Sequence, residues 1–564
     1  MSVVDIITIV LLTAGILIAG MTFSKKGKNM TSFFAAGGAV PWQMSSLSLF
    51  MGFFSAGTFV VWGAVAYLYG WVSISIQWTM ALAGLIVGTF IAPRWHRTGA
   101  LTVAEYINKR LGVPTQKGYT FMFLFISLFL TASFLYPVAK IAEVSTGLDL
   151  NLCIIFLGVF CILYVSAGGL WAVVSTDILQ FVILVAAVII VVPLSFDRVG
   201  GFSGFLSAIP GDFFDLTNAE YTFVFIIAFG IYNMIFLGGN WAYVQRFTCV
   251  KSENDAKKVG WGFAALYFVS PILWMLPPMI YHVLDPSLDL MESEGAYLLI
   301  CKEVLPKGIL GLMIGGMIFA TTSAMNSKLN IASGVITNDI FKRLRPNSSD
   351  NTLMLVARLS TILFGVISIL IALLIPSMGG VVNVVISLAA LTGVPLYLPI
   401  IWTLFSKRQT GFSVLTATIL SLALNGIFKF LTPVAYGFSL NRTEEMVLGV
   451  LLPAMILLAF EIYYVLKGRT SERYQAYMAW EHANRLQAAC LTSDEEKAVK
   501  RENSYSQRIV GYGMAIIGVA IAVLGLMAPA YKLFVASTGG LFALCGFYIV
   551  LSASRKIKVS RRND

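Results

Sequence analysis

The stretch 51–58 reads Met-Gly-Phe-Phe-Ser-Ala-Gly-Thr and lies inside an apolar run that extends over 44–69. Two glycines and two hydroxyl residues in a run of this length predict an interrupted helix. A second interruption, Gly238-Gly239-Asn240, lies inside the apolar run 221–245. Unwound backbone at membrane depth is tolerated only where it lines a cavity. The two interruptions lie five apolar runs apart, which is the separation that a five-helix inverted repeat produces.

The rest of the chain is equally apolar. Of its 564 residues, 58% are hydrophobic and 12% are charged, whereas soluble domains carry about 25% charged residues. Runs of roughly 18 or more apolar residues are long enough to cross a bilayer as helices. We therefore predict an all-α polytopic membrane protein with about fifteen transmembrane helices. The predicted spans are 3–21, 44–69, 72–91, 119–146, 151–168, 172–195, 221–245, 259–284, 308–334, 354–376, 381–405, 411–431, 446–466, 509–529 and 533–553.

The distribution of basic residues predicts the orientation. With the N-terminus outside, only five of the 39 Lys and Arg residues face outward, and the outward loops are acidic instead. Because cytoplasmic loops concentrate Lys and Arg, we predict an external N-terminus and an internal C-terminus. The first run contains Asp5 and is followed by no cleavage motif. It is therefore predicted to be a retained helix rather than a signal peptide.

Composition also excludes several function classes. The net charge of +11 resides in short segments between apolar runs, which argues against a nucleic-acid partner. The six cysteines and three histidines have no metal-ligand spacing. No pattern of nucleophile and base is visible either, so the sequence does not indicate an enzyme.

Two hydrophilic segments interrupt the apolar pattern. The outward stretch 285–307 is long enough for a short helix over the external mouth. The inward stretch 467–508 mixes acidic, basic and aromatic residues, which predicts an amphipathic surface helix followed by a charged linker. The basic tail 555–562 is expected to lie near anionic lipid headgroups.

Polar residues inside the spans need a partner or a function. Asp177 lies at the inner start of a span, where it either binds a cation or stabilises the helix N-terminus. Ser323, Asn326, Ser327 and Asn330 are spaced so that they share one helical face. Their oxygens are either ligands for an ion or contacts between packed helices.

Three segments resemble the sodium/solute symporter family, which includes the bacterial sodium/galactose and proline symporters. They are Gly-Gly-Leu…Thr-Asp…Gln at 168–180, Leu-Asn…Thr-Asn-Asp-Ile-Phe-Lys-Arg at 329–343, and Phe-Phe-Ala-Ala-Gly-Gly at 33–38. The resemblance covers about 1–470. It implies a LeuT-like core of ten helices, preceded by one helix and followed by four.

The resulting domain prediction has five segments. They are an extra helix and inward loop at 1–43, a transport core at 44–405, two additional helices at 406–466, the cytoplasmic segment at 467–508, and two C-terminal helices with the tail at 509–564.

The resemblance also implies two sodium sites. The main site would use the carbonyls of Met51, Phe54 and Ala320 with the hydroxyl of Ser323. This chain has Ala324 where the family usually has a second hydroxyl, which removes one oxygen ligand. A second cation site would use Asp177, Ser323, Asn326 and Ser327.

Solute-binding positions follow from the sugar-transporting members of the family. The implied residues are Thr58, Gln77, Asn233, Tyr267 and Ser387, with Phe236 as the aromatic residue that closes the cavity from inside. These groups suit a polyhydroxylated or mildly anionic solute. Lys140 either pairs with Glu143 or attracts a substrate carboxylate.

The predicted function is sodium-coupled symport of a small polar organic solute, such as a sugar or sugar acid, by alternating access. The predicted location is the bacterial inner membrane, as a monomer or weak homodimer. Two alternatives remain: a proton-coupled or uncoupled carrier on the same fold, which Ala324 favours, and a membrane solute sensor.

Overall fold

The computed structural model describes residues 2–11, 40–100, 102–165, 170–345, 347–489, 493–527 and 531–562. Within these ranges the regular structure is helical. The predicted all-α class is therefore confirmed.

The first eleven helices lie in the N-terminal half of the chain. They are α1 (3–11), α2 (Trp42–Phe53), α3 (Thr58–Tyr69), α4 (Val72–Thr98), α5 (Val103–Leu111), α6 (Val113–Thr146), α7 (Leu150–Val165), α8 (Leu170–Arg198), α9 (Gly201–Ala208), α10 (Phe223–Gly239) and α11 (Trp241–Thr248).

A second set completes the chain. They are α12 (Glu253–Leu284), α13 (Leu290–Ser293), α14 (Ala296–Val304), α15 (Ile309–Val335), α16 (Asp350–Leu374), α17 (Gly380–Phe405), α18 (Gly411–Tyr436), α19 (Arg442–Leu466), α20 (Glu472–Ala489), α21 (Ser493–Met527) and α22 (Lys532–Arg562).

Both predicted interruptions are present. Helices α2 and α3 form one span bent by 60° at 54–57, and α10 and α11 form another bent by 60° at Asn240. Glycine, serine and asparagine at these points lower the cost of leaving the helical conformation. Both broken spans pack against α4 and α12.

Membrane-length helices account for most of the predicted spans. In the described ranges, ten helices are long and apolar enough to cross a membrane, and counting each bent pair as one span gives twelve. The other three predicted spans correspond to α1, α7 and α15, of which the described apolar parts are shorter.

The N-terminal helix contacts the core near the segment 285–307. Asp5 accepts hydrogen bonds from the backbone N–H groups of Gly308 (2.6 Å) and Gly311 (3.1 Å). These amides belong to the first turn of α15, which has no acceptor of its own for them. The carboxylate of α1 therefore caps the helix that carries the predicted sodium ligands.

The segment 285–307, for which one short helix was predicted, contains two short helices, α13 and α14. Glu294 lies between them and is only 2% exposed. Its carboxylate accepts hydrogen bonds from the Val381 N–H (2.8 Å) and the Tyr136 hydroxyl (3.1 Å). The short helices are thus linked to the N-terminal end of α17 and to the C-terminal half of α6.

The segment 467–508 differs from the prediction in one respect. The expected surface helix is α20, but the expected linker is helical, because α21 already begins at Ser493 and continues into the next span. On this side of the molecule, the buried Arg110 donates to the carbonyl of Ser406 (2.9 Å) and the hydroxyl of Ser471 (3.3 Å). These bonds hold the start of α20 against α5 and the end of α17.

Candidate functional site

A cavity lies between the two helix breaks. Its empty volume is about 1090 Å³, including the part that is open to solvent. Segments of both broken spans line it, together with α4, α6, α12 and α17. A cavity between interrupted helices is a typical place for a small-molecule site in a transporter.

Five of the six predicted solute-binding residues line this cavity. They are Thr58, Gln77, Asn233, Phe236 and Tyr267. They come from four helices, α3, α4, α10 and α12, although up to 209 positions separate them in sequence. The structure thus brings together the residues that the family resemblance selects.

The amides and hydroxyls that line the cavity differ in how many hydrogen bonds they already make within the protein. The Gln77 amide nitrogen makes one long hydrogen bond, 3.4 Å to the Ser73 carbonyl, and Asn233 donates to the Thr79 hydroxyl at 2.8 Å. Tyr232 and Tyr267 also line the cavity and bring their hydroxyl groups to it. These groups can exchange hydrogen bonds with a bound solute.

Thr58 has a more limited capacity. Its hydroxyl donates to the Phe53 carbonyl and accepts from the Ser55 N–H, both at 3.3 Å. A hydroxyl has one proton and two lone pairs, so only one acceptor position remains. Toward a solute, Thr58 can therefore act as an acceptor but not as a donor.

Aromatic rings cover the part of the cavity near the second break. Phe236 packs edge-to-face against Phe53, Tyr243 and Tyr397, with centroid distances of 5.6–5.9 Å. Phe53 in turn stacks on Tyr243 at 4.1 Å. Rings from both broken spans and α17 meet at this point, so a rotation of one ring alters the contacts of the others.

Ser387 is the exception among the predicted solute ligands. Val385, Leu388 and Ala389 of the same helix line the cavity, and Ser387 is not among the lining residues. At about 100° per residue, position 387 points away from the face that 385, 388 and 389 share. Thr392 supplies the hydroxyl from α17 instead.

The first break satisfies its free backbone groups in an unusual way. The Gly57 N–H donates to the Ser55 side chain (3.2 Å), and the Thr58 N–H donates to the Ser55 carbonyl (2.9 Å). The Ala56 N–H donates instead to the Thr321 hydroxyl of α15, at 2.9 Å. A residue from another helix thus completes the cap of α3.

The predicted sodium ligands are described in part. Met51, Phe54 and Ala320 are buried, with Met51 and Phe54 at the end of α2 and Ala320 in α15. The side chains of Asp177, Ser323, Asn326 and Ser327 lie outside the described part of the structure, although α8 and α15 include these positions. Helices α8 and α15 pack against each other.

Lys140 does not belong to the cavity. Its ammonium pairs with Glu143 at 3.0 Å, which confirms the first of its two interpretations. Lys328 lies beside the lining, with its ammonium 3.9 Å from the centroid of the Phe134 ring. Neither lysine is among the lining residues, none of which carries a formal charge in the described part of the chain.

Sequence reasoning missed several lining residues, notably Trp62, Ser133, Tyr232, Thr392 and Tyr397. Single polar or aromatic residues in apolar spans were the available signal, but such residues also occur in ordinary helix contacts. Their position beside the two breaks distinguishes them, and that requires the packing of the helices.

Comparisons with known proteins agree with this arrangement. A sodium/glucose cotransporter of Vibrio parahaemolyticus is 28% identical over 498 residues, which cover 82% of this chain and 90% of the relative. The sodium/sialic acid symporter SiaT of Proteus mirabilis is 28% identical over 427 residues, covering 72% and 86%.

A solved structure of a Na⁺-coupled sialic acid symporter in a substrate-bound, outward-open state shares the fold. Its TM-score is 0.67 at 24% identity, and the match covers 82% of this chain and 98% of that one. The core is therefore LeuT-like. The model of the "Sodium:solute symporter family" matches residues 33–420. The chain belongs to the sodium:solute symporter family, and it is a multi-pass, sodium-coupled transporter of a small solute rather than an enzyme.

Proposed function

We propose that this symporter takes an uncharged, polyhydroxylated solute of monosaccharide size. The observation that carries this proposal is the cavity lining, which combines aromatic faces with amides and hydroxyls and includes no formal charge among the described residues. A carboxylate moved from water into such a site without a cationic partner loses its solvation. A neutral sugar or polyol instead presents hydroxyls to the amides and C–H faces to the rings.

The names of the relatives allow both kinds of solute. One is a glucose cotransporter and another is a sialic acid symporter. The lining favours the neutral class over the sugar acid that the sequence also allowed. Gln77, Asn233, Tyr267 and Tyr232 are proposed to bind the solute directly, and Thr58 is proposed to accept one hydrogen bond. Phe236 is proposed to close the cavity on the inner side.

We further propose that sodium binds beside the first break. The carbonyls of Met51, Phe54 and Ala320 and the hydroxyl of Ser323 would form the main site. Asp177 would compensate charge at a second site, together with Ser323, Asn326 and Ser327. Hard oxygen ligands of this kind suit sodium, and half-helix ends can coordinate it.

The proposed topology has fifteen spans with the N-terminus outside and the C-terminus inside, in a bacterial inner membrane. Two contacts support it. Asp5 and Gly308 are bonded to each other, so the N-terminus and the segment 285–307 share one side. Tyr531 bonds Asp197, so the loop between α21 and α22 shares a side with the loop after α8. The five segments predicted from the sequence fit this topology, with 493–508 as part of α21. We propose a monomer or weak homodimer.

Uptake into proteoliposomes tests the solute class. Purified protein is exposed to an inward sodium or choline gradient, and the accumulation of a labelled neutral hexose is measured with competing polyols, sialic acid or proline. We expect sodium-dependent accumulation that neutral sugars or polyols inhibit. Gln77→Ala should raise the KM about tenfold or more, because it removes hydrogen bonds made by the solute. Inhibition by sialic acid alone would contradict the neutral class.

A further inference from the structure

The segment 54–57 stands between the two ligand sites of the transporter. Phe54 begins it and is a proposed sodium ligand, whereas Ser55, Gly57 and the following Thr58 line the solute cavity. Any coupling between the two sites has to pass through the conformation of this segment or through the helices packed on it. The contacts of Ser55 and Ala56 are therefore of particular interest.

Three of the four backbone amides at 55–58 are satisfied locally. The N–H groups of Ser55, Gly57 and Thr58 bond to the side chain of Thr58 and to the side chain and carbonyl of Ser55. The Ala56 N–H is the one that reaches another helix, through the Thr321 hydroxyl. A buried N–H without an acceptor is costly, so this bond fixes the position of the segment relative to α15.

The geometry of Thr321 suits it to accept this bond. Its side chain is fully buried, at 0% exposure. The hydroxyl donates its only proton to the Met317 carbonyl at 3.0 Å, so a lone pair is directed toward Ala56. Thr321 follows Ala320 directly and precedes Ser323 by two residues, and both are proposed sodium ligands.

We propose that Thr321 is a positioning residue that links the unwound segment of the first broken span to the sodium-binding helix. Sodium at α15 and Phe54 fixes the distance between the two elements, and the Thr321–Ala56 bond extends that constraint to Gly57 and Thr58 in the cavity wall. This inference rests on the proposed sodium site and adds a residue that is not itself a ligand.

Equilibrium binding of solute with and without sodium tests the proposal. The purified full chain is titrated with the transported sugar in saturating sodium and in choline, and the ratio of the two Kd values gives the coupling factor. Thr321→Val keeps the shape and removes the acceptor. We expect its coupling factor to fall at least about fivefold, with the Kd in choline little changed. Thr321→Ser keeps the hydroxyl and should retain most of the coupling.

Thr361→Val is the matched control. Thr361 is also buried, but its hydroxyl bonds only the carbonyl of Ala357 in its own helix. The Thr361→Val variant should be somewhat less stable at most, and its coupling factor should equal that of the wild type. An unchanged coupling factor in Thr321→Val would overturn the proposal. If that variant does not fold, Thr321→Cys, a weaker acceptor, is measured by the same criterion.

The sodium sites and the role of Thr321 can be tested separately. Absence of sodium-dependent binding in the wild type would contradict the proposed sodium sites. Sodium-dependent binding in the wild type with equal coupling in Thr321→Val would contradict only the role of Thr321.

Discussion

The two helix breaks have the same bend but different supports. At the first break, several residues leave the regular helix and one amide bonds Thr321 of α15. At the second, Asn240 alone separates the half-helices, and its side chain accepts from the Ala242 N–H and donates to the Tyr397 hydroxyl, both at 3.1 Å. The first break is therefore linked to the proposed sodium helix and the second to the cavity helix α17. Two equal bends in an inverted repeat can therefore be held in place by different partner helices.

Alanine substitutions of the glycines beside the two breaks should show the largest difference in stability and uptake. A Cβ at Gly239 would lie 2.6 Å from the Cβ of Tyr397, which cannot move without the α17 backbone. A Cβ at Gly57 would lie 3.3 Å from the Ser55 hydroxyl oxygen and 3.8 Å from Pro137. Gly239→Ala should cost about 1–3 kcal/mol of stability through overpacking and abolish most uptake. Gly57→Ala should remain folded and active.

Melting temperature in detergent and initial uptake rate in proteoliposomes measure both variants side by side. Each adds one methyl group at a break, so each is the control for the other. Equal losses in the two variants would show that α17 does not constrain the second break more closely than its neighbours constrain the first.

Removing the Asn240 side chain should cause the next largest loss of stability. Asn240→Ala loses the cap of α11, worth about 1 kcal/mol, and an interhelical bond that averages about 0.6 kcal/mol in membranes. Tyr397→Phe removes only the interhelical bond and should therefore cost less. The melting temperatures of the two variants show which one loses more stability. A larger loss in Tyr397→Phe would mean that the bond to α17, rather than the helix cap, holds this break in place.

Ala324→Ser tests whether the first break is the one that responds to sodium. A hydroxyl at this position restores the oxygen that the family usually has, and we expect the half-saturating sodium concentration for uptake to fall about fivefold, as for a gain of about 1 kcal/mol. Ala332→Ser adds a hydroxyl two turns further along the same helix and serves as the control. A similar shift in both variants would exclude a local effect on the sodium site.

The sequence predicted the breaks well because they depend on local signals. Glycine and small polar residues in a membrane-length apolar run indicate an interruption wherever they occur, and both bends lie where 51–58 and 238–240 placed them. The family motifs likewise selected five residues that line one cavity. Helix register was less predictable, since Ser387 lies one residue from Leu388 but on a different face.

The roles of Thr321 and Tyr397 could not be read from the sequence. Each is a polar residue in an apolar span, and its partner lies more than 150 positions away. These residues gain a function only because α15 lies beside the break at 54–57 and α17 packs on α10. The end of the surface segment was missed for a different reason, because a charged sequence such as 493–508 can form a helix that projects from the membrane.

The smallest predicted effect is a change in hydrogen exchange around Glu294. This residue holds its neighbours through a titratable carboxyl, whereas the hydrogen bonds that hold the two breaks join neutral groups. Burial raises the pKa of its carboxyl, although the Tyr136 hydroxyl, the Val381 N–H and Lys140 favour the charged form. Because the pKa is higher in the folded state than in the unfolded state, its stabilising contribution is present at low pH and is lost as pH rises through the folded pKa. Hydrogen exchange of 290–304, corrected for intrinsic rates, should therefore be slower at external pH 5 than at pH 8. Exchange at 54–57 and at Asn240 should change less, and Glu294→Gln should remove the difference at 290–304. Equal pH dependence in Glu294→Gln would assign the effect to another group and leave α13 and α14 without a titratable link to the core.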